Sequence, residues 1–288
     1  MAVLKDGDFE LDGYLFSGSR RQALFVQAVQ VVPGKKRVHD VLNPVGDDIL
    51  FGRDRRTAPE WRWAIRVGHG DPGVTLAALG RLASAWDSLP TDPGRESVLR
   101  YAVAGRTRRV YGRARELEPE VTQVYDLGRV VSNASFQARD PWYYDDVAQA
   151  VTVGLVPVSS GGLQSPLRSP LTTVAGAQRQ GLITVGGNAP APVEITFRGP
   201  ISNPVVSSTG WSVGLTGSLA YDQSVTINTR TGEVTRNDGA NLAGRLTRRT
   251  YLPDARLKPG AREIVFGGTD ATGTATCTVQ WRDTYRSY

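Results

Sequence analysis

The chain has 288 residues, of which 40% are hydrophobic and 22% are charged. This composition is ordinary for a globular protein and excludes a largely disordered chain. Only four of the 34 basic residues are lysines and the arginines are scattered, so the net charge of +6 is a weak indication of a nucleic-acid partner. We expect no specific nucleic-acid binding and assign the arginine groups to solvated loops or subunit contacts.

The length predicts one large domain or two ordinary ones, with two as the working interpretation. Cys277 is the only cysteine, which excludes a disulfide within one chain. Together with the two histidines it is too little for a structural zinc site. The N-terminus lacks a basic segment followed by an apolar one, and no apolar run reaches the roughly 20 residues that span a bilayer. We expect a soluble protein made in a cytoplasm, without membrane insertion.

The first half of the chain alternates apolar and polar residues, the period-two pattern of half-buried strands. In one such run Trp61 and Trp63 share a face, and Arg62 lies on the other. Gly105 and its polar neighbours predict a hairpin turn. Strands are predicted at residues 23–32, 60–67, 97–105, 108–114 and 128–138.

One segment departs from this alternation. Its apolar residues recur at three- and four-residue spacing, which predicts a helix with one buried stripe. Asp71 is suited to the N-cap, and Pro72 to the first helical position, where its missing N–H is harmless. With Pro90 just past its end, a single helix is predicted at about 72–88.

The pattern changes again after the aromatic cluster at 142–144. From 154 to 215, frequent Gly, Pro, Ser and Thr separate short apolar runs, and turn signals every 8–12 residues or so are typical of a β-sandwich. We place a domain boundary near 150, which gives domains 1–150 and 151–288.

No residue pattern supports catalysis. His39 and His69 are the only candidate bases of a nucleophilic triad, and neither is accompanied by a nucleophile elbow. The carboxylate pairs Asp47-Asp48 and Asp145-Asp146 are neighbours in sequence and need not converge. We therefore predict that the protein is not an enzyme, with no catalytic residue, no cofactor and no metal.

Two glycine-containing segments are assigned to turns. Residues 266–273 lack the lysine and the following helix of a phosphate loop, so we interpret them as a hairpin turn. In residues 224–242 an arginine stands where a calcium loop needs a carboxylate. The predicted structure there is a strand, a turn at Thr231-Gly232, a short return strand and a second turn at Asp238-Gly239.

Seven motifs follow one another along nearly the whole chain. They are "LFGRDRRTAPEWRWAI" (50–65), "LASAWDSL" (82–89), "RRVYGRARELEP" (108–119), "ASFQARDPWYYDD" (134–146), "APVEITFRGPISNPVV" (191–206), "SVTINTRTGEVTRNDGANL" (224–242) and "LKPGAREIVFGGTDATGTATCTVQWRDTY" (257–285). Each motif alone is unspecific. In this order and spacing they resemble the distal tail proteins (Dit) of long-tailed phages that infect actinobacteria, often called minor tail proteins.

The resemblance implies a mainly β protein of two β-sandwich domains. The first, tail-tube-like and with one flanking α-helix, would form a hexameric ring below the last ring of the tail tube. The second, galectin-like, would lie outside the ring. Such a protein joins the tube to the distal tail tip or baseplate of the virion and is a hub for host-attachment proteins. Its expected partners are copies of itself, the tail tube protein, and tail-tip, tape-measure and baseplate proteins.

A closed ring needs two different complementary surfaces on each subunit. Arginine forks and aromatic anchors are favoured at such interfaces. We therefore predict assembly contacts in segment 51–63 and the loop around 105–109. The residues are Arg53, Arg55, Arg56, Trp61, Arg106, Arg108 and Arg109.

Three other interpretations remain at this stage. A galectin-like domain that exposed Trp211 and Tyr221 together would bind cell-surface glycan, although core packing is the alternative for each ring. A tail-tip enzyme that cuts the cell envelope lacks a catalytic set in this sequence. A tail tube or baseplate protein is the third alternative, and a tube protein would not usually need a second sandwich.

Overall fold

A computed structural model describes residues 3–17, 24–68, 70–87, 96–155, 180–270 and 272–288. The chain divides into two compact units, which we call unit 1 (residues 1–146 and 285–288) and unit 2 (residues 147–284). The sequence-based division near 150 falls close to this junction, but it gives the last residues of the chain to the second domain.

Unit 1 is built on one large sheet. Its strands are β1 (Asp8–Leu11), β2 (Tyr14–Ser17), β3 (Leu24–Val32), β4 (Lys36–Arg37), β5 (Val41–Leu42), β6 (Ile49–Leu50), β7 (Arg55–Arg56), β8 (Glu60–Gly68), β9 (Ser97–Val103), β10 (Arg106–Glu120), β11 (Arg129–Ala138), β12 (Tyr143–Asp145) and β24 (Thr284–Tyr285). Seven of them run in the order β11-β8-β3-β2-β1-β9-β10, and β10 also pairs with β11. The sheet thus closes on itself, which removes the free edges of this ring of strands.

A glycine permits the closure between β10 and β11. A Cβ at Gly112 would lie 2.2 Å from the backbone oxygen of Gln137 and 2.8 Å from the Cα of Ala138. Both distances are well inside van der Waals contact, so a side chain would push the two strands apart.

The predicted helix is confirmed as α1 (Pro72–Trp86). A carboxylate oxygen of Asp71 accepts a hydrogen bond from the Val74 amide at 2.8 Å, which satisfies one of the free N–H groups of the first turn. At the other end the Trp86 indole donates to the Ser135 carbonyl at 3.2 Å. A second helix, α2 (Val124–Leu127), was not predicted, because four residues are too few to show a helical stripe.

The core of unit 1 is aromatic. Trp61 and Trp63 stack with ring centroids 5.9 Å apart, and Phe16 meets Trp63 edge-on at 5.8 Å. Trp86 brings α1 into the same cluster, 5.7 Å from Trp63. The alternation of residues 60–67 therefore predicted the buried face of β8 correctly.

Strands β3 and β8 continue into a hairpin that we call the arm (residues 34–57). Within it β4 pairs with β7 and β5 pairs with β6, apart from the large sheet. The Lys35 carbonyl accepts from the Thr57 amide at 3.0 Å, which fixes the root of the arm. Every residue from 35 to 56 except Asn43 is exposed.

Unit 2 consists of two antiparallel sheets, which confirms a mainly β second half. Its strands are β13 (Gln149–Gly154), β14 (Gln180–Val185), β15 (Ala191–Arg198), β16 (Ile201–Ser208), β17 (Trp211–Gly214), β18 (Ser218–Leu219), β19 (Ser224–Asn228), β20 (Glu233–Arg236), β21 (Arg256–Leu257), β22 (Gly260–Thr269) and β23 (Thr276–Trp281). One sheet runs β13-β23-β15-β19-β20 with β21 beside β15, and the other runs β14-β22-β16-β17 with β18 beside β16. Phe197 of the first stacks on Phe266 of the second at 5.9 Å, so the inner faces share one core.

The turn prediction for residues 224–242 is confirmed. β19 and β20 form a hairpin, and Gly232 and Gly239 take the positive φ values of 84° and 87° that the two turns require. The Thr229 hydroxyl lies 2.9 Å from the Val193 carbonyl oxygen and 3.0 Å from that of Ala255. It also accepts from the Val193 amide at 2.9 Å, so the loop uses its polar atoms internally.

The hairpin prediction for residues 266–273 is wrong. This segment connects β22 to β23, which belong to different sheets and do not pair. Asp270 shapes the connection, because its carboxylate accepts from the Thr272 and Ala275 amides at 2.7 and 2.8 Å. The glycines allow a crossing between sheets, which has the same composition as a hairpin turn.

Candidate functional site

The outer half of the arm exposes apolar side chains. Because both residues of β5 and both of β6 are exposed, the apolar character covers both faces of the hairpin. Phe51, at the end of this stretch, is 85% exposed. Large exposed apolar groups gathered in one segment mark a contact surface. They are Val38, Val41, Leu42, Val45, Ile49, Leu50 and Phe51.

The inner half of the arm is basic, and it contains three of the predicted contact residues. We call Lys35, Lys36, Arg37, Arg53, Arg55 and Arg56 the arm base; all are exposed. Lys36 faces Arg56 and Arg37 faces Arg55 across the ladder. Like charges directly opposite one another destabilise a strand pair. No ion pair joins the arm base to another residue in the described part of the chain.

A second charged surface lies on the end of β10. Glu116, Glu118 and Glu120 are exposed and alternate along the strand, so they project from one face of the sheet. Glu116 lies near Arg62, whose pKa is raised by its hydrogen bond to Glu60 and also by the Glu116 charge. We call the three carboxylates the glutamate face.

The glutamate face borders a shallow cavity of about 410 Å³. In register across β10, β11, β8 and β3, Glu118 lies opposite Asn133, Asn133 opposite Ala64, and Ala64 opposite Ala28. The two alanines and the asparagine line the cavity. Small residues on an outward sheet face leave room for side chains of another molecule.

Trp61 does not belong to a contact surface. Its side chain is 1% exposed and packs against Trp63 and Tyr101 in the core of unit 1. The ring is therefore unavailable to a neighbouring molecule, and the prediction for this residue is corrected. The alternation of residues 60–67 already predicts that Trp61 lies on the apolar face of its strand.

The predicted loop around 105–109 divides its arginines among three environments. Arg106 is exposed beside a tight turn in which Ala104 and Gly105 both have positive φ, 51° and 72°. Arg108 donates to the Ser287 carbonyl at 2.8 Å and lies 4.1 Å from the Tyr285 ring centroid. Of Arg106, Arg108 and Arg109, only Arg106 is exposed.

Arg109 is buried in a charged cluster. Its Nη2 lies 2.6 Å from an Asp146 oxygen, and Arg100 binds the other Asp146 oxygen at 2.7 Å. Arg100 also binds Glu10 at 2.8 Å. Arg109 is thus an internal ion-pair partner, which corrects its assignment to an assembly contact. Sequence reasoning missed this cluster, because its members are far apart along the chain.

The cluster shifts the pKa values of Asp146 and Arg100. Burial raises the pKa of Asp146, but the hydrogen bonds from Arg100 and Arg109 outweigh burial, so the net shift is downward. The pKa of Arg100 is raised, chiefly by its hydrogen bond to Asp146. Both groups are therefore held in their charged forms around neutral pH.

The residues considered for chemistry are dispersed. His39 is exposed on the arm, and His69 lies outside the described residues. Cys277 is buried in β23, and burial raises the pKa of its thiol, as for a small core residue. Within the described ranges, no group of three or more His, Cys, Asp and Glu side chains is placed to hold a metal ion. In the same ranges no helix combines the length and apolar character needed to cross a membrane.

The aromatic pair considered for sugar binding is not exposed together. Trp211 is 9% exposed and belongs to the core of unit 2, whereas Tyr221 is 70% exposed. A sugar-stacking platform needs an accessible ring face. Trp211 follows the core-packing alternative.

The chain is similar to known phage tail proteins. Residues 186–285 match the family model described as "Siphovirus-type tail component, C-terminal domain". The resemblance to distal tail proteins is confirmed. The crystal structure of the phage SPP1 Dit protein superimposes with a TM-score of 0.61 at 12% identity, over 96% of this chain and 98% of that one.

Two structures of the phage P2 baseplate in its activated conformation also match. The calcium form gives a TM-score of 0.55 at 10% identity, and the strontium form 0.54 at 9%. Each covers 95% of this chain and 97% of its own. Among curated proteins no sequence matches. The family match relates residues 186–285 to a tail component, and at these identities the three superpositions show only the fold, which is mainly β.

Proposed function

We propose that this protein is a structural component at the distal end of a phage tail. Copies of unit 1 associate head to tail into a closed ring, with six subunits as the expected number. The ring joins the tail tube protein to the tail-tip, tape-measure or baseplate proteins, and it is a hub for host-attachment proteins. The tail-component match of residues 186–285 and the full-length similarity to the SPP1 Dit structure support this proposal.

The single observation that carries self-association is the arm. Its apolar half belongs to neither core cluster of the described residues, and all seven large side chains are exposed. Each apolar side chain moved from water into an interface contributes about 1.5–3 kcal/mol when fully buried. A handful of such residues covered by a neighbour can outweigh the entropy cost of association.

The test is the size and symmetry of the purified protein. We expect native mass measurements and negative-stain electron microscopy to show closed rings with six-fold class averages. A variant with residues 38–51 replaced by a short Gly-rich turn should remain folded and monomeric. Tyr221→Ser, which removes an exposed ring of unit 2, is the matched control and should still form rings. Monomeric wild-type protein at all concentrations would contradict the proposal.

A further inference from the structure

The facing cations of the arm base destabilise the arm in the isolated chain. Two cross-strand pairs, Lys36 with Arg56 and Arg37 with Arg55, place cation opposite cation. The pairs are adjacent in the ladder, so one pair projects from each face of the hairpin. Such an arrangement is unfavourable in the isolated chain and becomes favourable when carboxylates contact it.

The glutamate face presents the opposite charge, with Arg62 near Glu116 as one neighbouring cation. No ion pair links Glu118 or Glu120 to another residue of the described ranges. In an extended strand, alternate residues lie about 7 Å apart, so the three carboxylates form a row about 14 Å long. Their spacing is comparable to that of alternate residues along the arm.

The two surfaces belong to different parts of unit 1. The arm leaves the sheet beyond the pair Val32 and Glu60. The cross-strand rows that begin at Glu118 and Glu120 reach β8 at Ala64 and Arg66, farther from the arm than Glu60. In the described structure no side chain of the arm base reaches a carboxylate of the glutamate face. One chain thus has two complementary surfaces that it does not join itself.

We infer that the arm base of one copy docks on the glutamate face of a second copy. This inference rests on the proposed ring and specifies its interface. The two surfaces differ, so the contact is heterologous and can be repeated around a ring, as a closed head-to-tail assembly requires. The cavity lined by Ala28 and Ala64 then accepts side chains of the incoming arm.

Charge reversal on each side tests the inference. We expect reversal of the four cations of the ladder (Lys36→Glu, Arg37→Glu, Arg55→Glu and Arg56→Glu), and separately of the three carboxylates of the glutamate face (Glu116→Arg, Glu118→Arg and Glu120→Arg), to weaken association about 100-fold or more, because like charges then meet. Arg248→Glu with Arg249→Glu, an exposed pair in unit 2, is the control and should leave association unchanged. Thermal unfolding of each monomer should stay near that of the wild type.

Two rescue experiments identify the partner. An equal mixture of the two reversed variants should form rings, since an even-membered ring of alternating variants has complementary charges at every interface. The variant that carries both sets of reversals should also assemble alone. Restored rings in both cases support the inference. Failure of both, after each single reversal has blocked assembly, overturns it by showing that the two surfaces contact different partners.

Other outcomes separate this inference from the proposed function. Wild-type rings that both reversed variants also form would overturn the interface and leave the ring standing. Absence of wild-type rings would contradict both. Duplex DNA binding that is lost in the arm-base variant, together with unimpaired assembly of that variant, would assign the arm base to nucleic acid and overturn the inference.

Discussion

Two hairpins of this protein have similar turn signals and opposite surroundings. The hairpin of β19 and β20 buries Val225, Ile227 and Val234 on one face and satisfies its turn with its own polar atoms. The arm of unit 1 buries none of its large apolar side chains. The first hairpin is complete within the monomer, whereas the second leaves an apolar tip and a base of facing cations exposed.

This contrast indicates the region in which the proposed self-association should occur. Alternating apolar and polar residues let a strand bury one face in the core of its own domain, as in β19. Consecutive exposed apolar residues, as in Val41-Leu42 and Ile49-Leu50, do not contribute to the core of unit 1. If this distinction is correct, substitutions in complete regions should lower stability, and substitutions in the arm should lower association.

The largest expected effect on stability is at the buried charge cluster, which is the complete counterpart of the unpaired arm base. Asp146→Asn leaves Arg100 and Arg109 facing each other with one fewer negative charge. Removal of one partner from a buried ion pair costs about 3–5 kcal/mol. Denaturant unfolding should show this loss, and a loss below about 1 kcal/mol would show that solvent screens the cluster.

The same cluster predicts a pH dependence. Because the pKa of Asp146 is lowered in the folded protein, its contribution is fully present above the ordinary aspartate value of about 3.9. It is lost as the pH falls through the folded value. The wild type should therefore lose more stability than Asp146→Asn when the pH is lowered from about 5 to 2, and parallel pH profiles would argue against the cluster.

Thr229→Val sharpens the comparison within the second hairpin. The substitution keeps the shape of the side chain but removes the acceptor of the Val193 amide. A buried donor left unsatisfied costs about 1–3 kcal/mol. We expect that loss in the unfolding free energy with an unchanged ring fraction, and a smaller ring fraction at native conditions would show that unit 2 shapes the interface.

The reverse substitution in the arm, Val41→Thr, should have the smallest effect on stability. Val41 is exposed, so the unfolding free energy of the monomer should change by less than about 0.5 kcal/mol. Association should weaken about 3- to 10-fold per interface, because a polar group replaces an apolar one in the buried contact. Dilution series followed by mass photometry measure this change. Equal association of Val41→Thr and wild type would place the tip outside the interface.

The sequence predicted the regular elements because their signals are local. The stripe that contains Leu79 and Leu82, with Asp71 as its cap, specified α1, and the alternation around Trp63 specified the buried face of β8. The arm was missed as strands because two-residue strands such as β5 show no period. Its arginines were singled out, but the apolar tip beside them was not.

Other features depend on sheet order, which local pattern does not contain. Glu10, Arg100 and Asp146 meet only because β1, β9, β10 and β12 are consecutive neighbours in the sheet. The closure itself depends on Gly112, one glycine among 32 in the chain. The glutamate face was readable in principle, since "RELEPE" places three acids at alternate positions.

Hydrogen exchange of the arm tests most directly whether a neighbouring copy completes it. Residues 41–50 should exchange slowly in assembled wild-type protein and rapidly in the monomeric arm-base variant, while β19 exchanges equally slowly in both. Equally rapid exchange of the arm in assembled rings and in monomers would contradict the account.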